Sequence, residues 1–344
     1  MKRIILAYAG AESAPAIPWL LQRHAAEVVA VLVDLGRRRD LVEQRERALS
    51  LGAVRCHVVD ARDEFARDYL LPALQAGAFA GPRPPVTPAL ARPIIARKVV
   101  DLAVMENATA IAHGAGRGYD RASLGVLVRS LDPARELITV PTGGDDDSAQ
   151  IAANVWGRAV DATGGPDVSD DLYMLTSAPA DGPDRPATAE LEFVRGMPVR
   201  VNGIEMSLLE MIESLEIIGG THGIGRSDAA IVKADGSRFR EVAEAPAAVT
   251  LQVAHAALTA AASPKALAAL IGQVGAAYAE LIQSGQWFTA TRDALDAFTH
   301  AVQAQVTGSV HLELLRGACR VVSSAPAPPV HPTPPAVTAD GLIQ

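Results

Sequence analysis

Aromatic residues make up only 4% of this 344-residue chain. With so few rings, Ala, Val and Leu must carry the apolar load, which argues against an aromatic-rich sandwich and for helices with parallel strands. Cysteine is scarcer still: Cys56 and Cys319 stand far apart and match no metal or redox spacing. The expectation is two ordinary thiols in a reducing compartment. There is no excess of positive charge either. A formal charge of −8 leaves no basic footprint for nucleic acid or an anionic membrane. The start, Met1-Lys2-Arg3, leads into a short strand-like run without the apolar core or cleavage site of a signal peptide. No apolar stretch reads as long and uninterrupted enough to span a bilayer. A cytoplasmic, soluble protein acting on a small molecule is the resulting expectation. The hydrophobic fraction of 49% is ample for a packed core.

The first part of the chain alternates short apolar runs with amphipathic segments. Strands are expected at Arg3–Ala9, Glu27–Asp34, Val54–Asp60, Thr109–Ala112 and Glu136–Val140. Helices are expected at Ala14–His24, Asp40–Leu51, Glu64–Gln75, Ala89–Glu106 and Asp120–Leu131. Such alternation predicts a parallel sheet covered on both faces, with ligands at the carboxyl ends of its strands. Loops 9–15, 34–39 and 113–119 therefore carry the functional interest. Beyond loop-rich stretches at Gly143–Asp147 and Gly164–Asp184, a hairpin is expected from Glu190–Val194 and Met197–Val201 around Arg195-Gly196. A helix over Ser207–Ile218 is capped by Ser207 and stopped by Gly219-Gly220. An Ala-rich helical tract over 246–306, broken near Ser263-Pro264 and Gly285, precedes a last hairpin, Ser309–Leu315 with Ala318–Val322. The tail after Ser324 is Pro-rich; it reads as extended or disordered, and any partner it wraps is a neighbouring subunit.

Three places combine residue types suited to binding. Ala7-Tyr8-Ala9-Gly10-Ala11-Glu12-Ser13-Ala14-Pro15 joins the first strand to a helix, where free amides and the helix dipole favour phosphate. Its small residues suit that role. Pro15 brings no amide, however, and a tight turn with no ligand accounts for the same residues. In His113-Gly114-Ala115-Gly116-Arg117-Gly118-Tyr119-Asp120, three glycines interleave with a cation after a strand and permit close approach to a nucleotide. A glycine turn with Asp120 as helix cap is the competing reading. Arg37-Arg38-Arg39 reads as a solvated loop, with an anion contact as the alternative. Single histidines without partners at ligand spacing are read as structural: His222 in a glycine-rich connection, and His255 and His300 on Ala-rich helices as packing or surface groups.

These segments together resemble the argininosuccinate synthases, members of the PP-loop ATP pyrophosphatase superfamily. The resemblance runs in order through Ala26–Gly36, Asp63–Ala76, Ala89–Lys98, Ala112–Asp120, Asn154-Val155-Trp156-Gly157-Arg158, Thr221–Arg226 and Tyr278–Arg320. It implies an α/β fold with a parallel-sheet nucleotide domain of the adenine nucleotide alpha hydrolase type over 1–160. An α+β synthetase and multimerisation domain over 161–323 and a C-terminal arm over 324–344 follow. It also implies a homotetramer whose arms cross between subunits. The family uses ATP with Mg²⁺ to adenylate the ureido oxygen of citrulline; aspartate's amine then displaces AMP.

By the resemblance, Ala7, Tyr8, Ala9, Gly10, Ser13, Val33 and Gly114 are the nucleotide-binding positions, and Gly116, Arg117, Tyr119 and Asp120 the substrate-binding ones. No metal ligand and no catalytic residue is assigned. The family's loop reads Ala-Tyr-Ser-Gly-Gly-Leu-Asp-Thr-Ser, so Ala9, Ala11, Ser13, Ala14 and Pro15 are departures that remove hydroxyls and a carboxylate. ATP and Mg²⁺ binding is therefore expected to be weak or lost. Citrulline-contact positions of the family align with Pro84, Pro88, Ser123, Ala159, Ile231 and Ala243, whereas Asp120 keeps the aspartate-site carboxylate. Three functions follow: a C–N ligase with an altered carbonyl substrate and an amine such as aspartate; a scaffold or regulatory subunit without catalysis; and argininosuccinate synthesis proper.

Overall fold

The computed structural model describes residues 2–37, 40–79, 88–114, 120–140, 151–161, 172–232 and 238–328. Five short runs form β1 (Arg3–Ala7), β2 (Glu27–Asp34), β3 (Arg55–Asp60), β4 (Ala110–Gly114) and β5 (Glu136–Val140), with β-branched residues densest in β2 and β5. They make an all-parallel sheet in the order β3-β2-β1-β4-β5. Helices α1 (Ala16–His24) and α2 (Leu41–Ser50) connect its strands, as do α3 (Arg62–Phe65), α4 (Leu71–Gln75), α5 (Pro88–Met105) and α6 (Asp120–Leu131). A single π-helical stretch, Ala66–Leu70, joins α3 to α4 within the expected helix. Alternate strand residues go to two cores, as the pleat requires. Ile4, Leu6, Val28, Ala30 and Leu32 pack with α1. Ile5, Val29, Val31 and Ile111 pack with α5 and join the core of the rest of the molecule.

Two antiparallel sheets complete the fold. One has the order β10-β9-β8-β13-β14, from β8 (Ala187–Val194), β9 (Met197–Val201), β10 (Ile204–Glu205), β13 (Gly308–Leu315) and β14 (Ala318–Pro326). Its two-residue turns Arg195-Gly196 and Arg316-Gly317 carry positive φ at both positions, the twist that tight hairpins need. The other has the order β11-β12-β7-β6, from β6 (Ile151–Asn154), β7 (Gly157–Asp161), β11 (Arg226–Val232) and β12 (Arg238–Glu244). Its four strands are absent from the pattern reading because they are short and carry charged and small residues instead of a clean alternation. Helices α7 (Leu208–Thr221), α8 (Pro246–Ala262), α9 (Ala268–Ser284) and α10 (Ala290–Gln303) pack around these sheets. The breaks in the long tract fall at Ser263-Pro264 and Gly285 as expected.

Two expectations are corrected here. Gly219-Gly220 does not stop α7, which runs on to Thr221. These glycines are packing positions: a Cβ on Gly220 would stand 2.2 Å from the Leu175 carbonyl oxygen, and one on Gly219 would stand 3.1 Å from Pro246. The reading that no stretch is long and apolar enough for a bilayer also fails by length and composition at Lys265–Ser284, whose mean hydropathy reaches 1.3. Alanine and glycine lift that average. The same helix docks Gly275 against the carbonyl oxygens of Ala76 and Gly77.

Candidate nucleotide and substrate site

The sheet order reverses direction between β1 and β4, so the crevice at their carboxyl ends is where a parallel sheet of this kind takes a ligand. Ala7 sits opposite His113 on one side and Val31 on the other, and the Tyr8 amide donates to the Val31 carbonyl at 2.9 Å. This register brings Ala7, Tyr8, Val33 and Gly114 to one rim formed by adjacent strand ends. The Tyr8 ring itself is buried in the α1-side core, so Tyr8 offers backbone to the rim. Gly116, Arg117 and Tyr119 lie outside the described residues. Asp120 begins α6, and its backbone alone is described.

Loop 7–15 turns sharply at Gly10, whose φ of 91° with ψ of −138° suits glycine alone. A short 3-10 turn, Ala11–Ser13, then leads through Pro15 into α1. The loop consumes much of its own hydrogen-bonding capacity. The buried Ser13 hydroxyl accepts from the Ala9 amide at 2.7 Å and donates to the Gly10 carbonyl. The Ser13 amide donates to Gly10 and the Ala14 amide to Ala11, while Pro15 has none. The amides of Gly10 and Ala11 have no protein acceptor among the described residues. What the rim offers is backbone and small side chains, and the loop beside it adds few donors: no hydroxyl turns outward and the exposed Glu12 is its one carboxylate. No cluster of metal-binding side chains occurs among the described residues.

Loop 34–39 proves to be a junction. Asp34 is buried and accepts from the Gly36 amide at 2.8 Å, and Leu35 accepts from the Val155 amide at 2.8 Å. Arg37 corrects the expectation of a solvated charge. Its guanidinium forks onto both oxygens of Glu216 on α7 and also donates to the Asn154 carbonyl. Burial holds its pKa down at about 10. Tertiary docking of α7, invisible in the local sequence, supplies its partner. Arg38 and Arg39 lie outside the described residues.

The second sheet brings together two positions that are 84 residues apart in the chain: Ala159 on β7 stands directly opposite Ala243 on β12, both buried. Next to them, the buried Glu244 is densely hydrogen-bonded. Its carboxylate accepts from the amides of Met174, Leu175 and Thr176 and from the Thr176 hydroxyl, and it pairs with Arg158 at 3.2 Å. Arg226 donates to the Thr176 hydroxyl at 2.9 Å and lies 3.9 Å over the Tyr173 ring. Sequence inspection missed this group because its members are scattered over 158–244. Pro84 lies outside the described residues, and the side chains of Pro88, Ser123 and Ile231 are likewise undescribed. The histidine readings divide: His255 is buried and paired with Gln303 at 2.9 Å, His222 caps α7, and His300 is on the surface.

Comparison with known proteins agrees with this architecture. The family described as "Arginosuccinate synthase N-terminal HUP domain" matches residues 3–146, and "Arginosuccinate synthase C-terminal domain" matches 150–328. An argininosuccinate synthase of Streptococcus suis is 34% identical over 349 residues, covering 94% of this chain and 87% of the relative. One from Rubrobacter xylanophilus is 36% identical, covering 94% and 86%, and one from Dehalococcoides mccartyi is 36% identical, covering 93% and 86%. With both halves matched in order on a parallel nucleotide sheet and an antiparallel partner unit, this chain belongs to the argininosuccinate synthase family of ATP-dependent ligases.

Proposed function

We propose that this chain is a C–N ligase of the argininosuccinate synthase family that activates the carbonyl or ureido oxygen of a substrate other than citrulline for attack by an amine, aspartate or another. One observation carries the reading: Ala159 faces Ala243 across β7 and β12, buried and apolar, where the family resemblance calls for hydroxyl-bearing citrulline contacts. A site that loses hydrogen-bond partners for a polar substrate typically discriminates by ~10⁴-fold or more. The rim of Ala7, Val33 and Gly114 holds the adenosine end of the nucleotide, and Gly10 and Ala11 donate to its phosphates. Gly116, Arg117, Tyr119 and Asp120 contribute to the substrate side. Mg²⁺ enters with the phosphates, and nucleotide affinity is weakened. The assembly is a cytoplasmic homotetramer.

The test is pyrophosphate release by the full-length chain with ATP and Mg²⁺, first with citrulline and aspartate, then with less polar amides and ureas. Turnover only with the second group is the expected result. Brisk turnover with citrulline and aspartate would show ordinary argininosuccinate synthesis and overturn the reading. A second reading, a scaffold subunit without catalysis, is favoured by the self-bonded loop at Ala9, Gly10 and Ser13. It predicts no calorimetric heat with ATP and Mg²⁺ and co-purification with an active homologue.

A further inference from the structure

Asp34 ends β2 one residue beyond Val33, on the rim where adjacent strands of the parallel sheet stop. The pleat sends Val28, Ala30 and Leu32 toward α1, so Asp34 belongs to the same face, the one that loop 7–15 follows into α1. Its side chain keeps only 11% of its surface open. One oxygen, Oδ1, accepts from the Gly36 amide at 2.8 Å and closes the turn after the strand. The other, Oδ2, has no hydrogen-bond donor among the described residues. Arg62, at the start of α3, brings its Nε to 4.0 Å, which is beyond hydrogen-bond reach. That Nε and the Nη2 of Arg62 donate to Asp60 instead, at 2.9 and 2.8 Å.

A carboxylate so far out of water is costly while one of its oxygens lacks a donor. It can only accept, so what completes it is an N–H or O–H group. We infer that Asp34 Oδ2 accepts a hydrogen bond from the nucleoside part of the bound nucleotide, from the exocyclic amine of the base or the 2′-hydroxyl of the ribose, and thereby selects the nucleotide. This rests on the reading above that the adenosine end lies along the rim at Val33. The ionised phosphates offer no such donor and are repelled by the carboxylate, so the same residue turns them away from β2 and toward Gly10. Asp34 therefore fixes the direction of the nucleotide as well as its identity. The strand ladder holds it in place for this: Asp34 is paired with Asp60, and its carbonyl accepts from the Ala61 amide at 3.0 Å.

The experiment is calorimetric titration of the full-length chain and of Asp34→Asn, each with ATP, inosine triphosphate and 2′-deoxy-ATP in the presence of Mg²⁺. Asparagine keeps an oxygen for the Gly36 amide and puts an NH₂ group where the second acceptor stood, so the turn survives and the acceptor is lost. The unaltered chain is expected to bind ATP about 10-fold or more tightly than one of the two analogues, since the rejected one leaves a charged acceptor unpaired. Inosine triphosphate lacks the base amine and 2′-deoxy-ATP the hydroxyl, so the analogue that is rejected names the donor. In Asp34→Asn the preference is expected to shrink to about 2-fold or less. Equal affinity of the unaltered chain for all three nucleotides would overturn the inference and leave the nucleotide rim standing. So would a uniform loss in the variant with the preference intact, the signature of a merely structural role. No binding of ATP by the unaltered chain would instead remove the rim reading, and the role of Asp34 with it.

Discussion

Ser13 and Glu244 show how single polar side chains decide what the backbone around them can do. By the resemblance Ser13 stands where the family's loop has an acidic residue, and its hydroxyl is turned inward to close the turn between Ala9 and Gly10. Ser13→Ala is expected to lower stability by about 1 kcal/mol while leaving nucleotide affinity unchanged or higher, because it releases the Ala9 amide. Urea unfolding and calorimetry with ATP separate the two effects, and a large loss of affinity would show that Ser13 contacts the ligand. Glu244 is different in kind. Truncation to alanine strips three amides of their acceptor and leaves the nearly buried Arg158 without its carboxylate. A loss of about 3–5 kcal/mol is expected from urea unfolding, since removing one member of a buried pair strands the other.

Among elements, α7 is the instructive case. Its start obeys local rules: Ser207 and Glu210 form a reciprocal capping box. Its end ignores them, because two glycines continue the helix where a stop is the usual outcome. The reason is contact, with the Leu175 carbonyl and Pro246 pressed against the glycine faces. In a solvated helix, glycine to alanine gains about 1 kcal/mol. Here the sign reverses. Gly220→Ala is expected to cost about 1–3 kcal/mol through overpacking, and Gly219→Ala distinctly less. Paired thermal melts of the two variants check the ranking, and equal melting temperatures would contradict it.

Across the whole molecule, a few buried polar groups tie the parallel-sheet half to the rest. Arg37 joins β2's exit loop to α7, and Gln303 on α10 donates to the Gln75 carbonyl at the end of α4 while its oxygen meets His255. Burial pushes the His255 imidazole down to about 4. An unfolded chain has the ordinary value of 6.5, so on acidification the unfolded state takes up this proton first. The contribution is complete above pH 6.5 and is lost as pH falls from 6.5 toward 4, a change of about 3 kcal/mol. Unfolding free energies measured between pH 7 and 4 should show that decline, and His255→Gln should flatten it. A slope unaltered by the substitution would place the titrating group elsewhere.

Periodicity and apolar runs were enough to place all five parallel strands, their helices and the breaks of the Ala-rich tract, because those signals are local and the three central strands, β1, β2 and β4, are buried on both faces. The residue types of loop 7–15 are plain in the sequence, but the inward turn of the Ser13 hydroxyl onto Ala9 and Gly10 is not. Only the folded chain set Ala159 against Ala243, gave Arg37 its Glu216 and carried α7 through its glycines. Each of these depends on groups brought together from distant positions, and no local pattern encodes a neighbour that arrives only with tertiary packing.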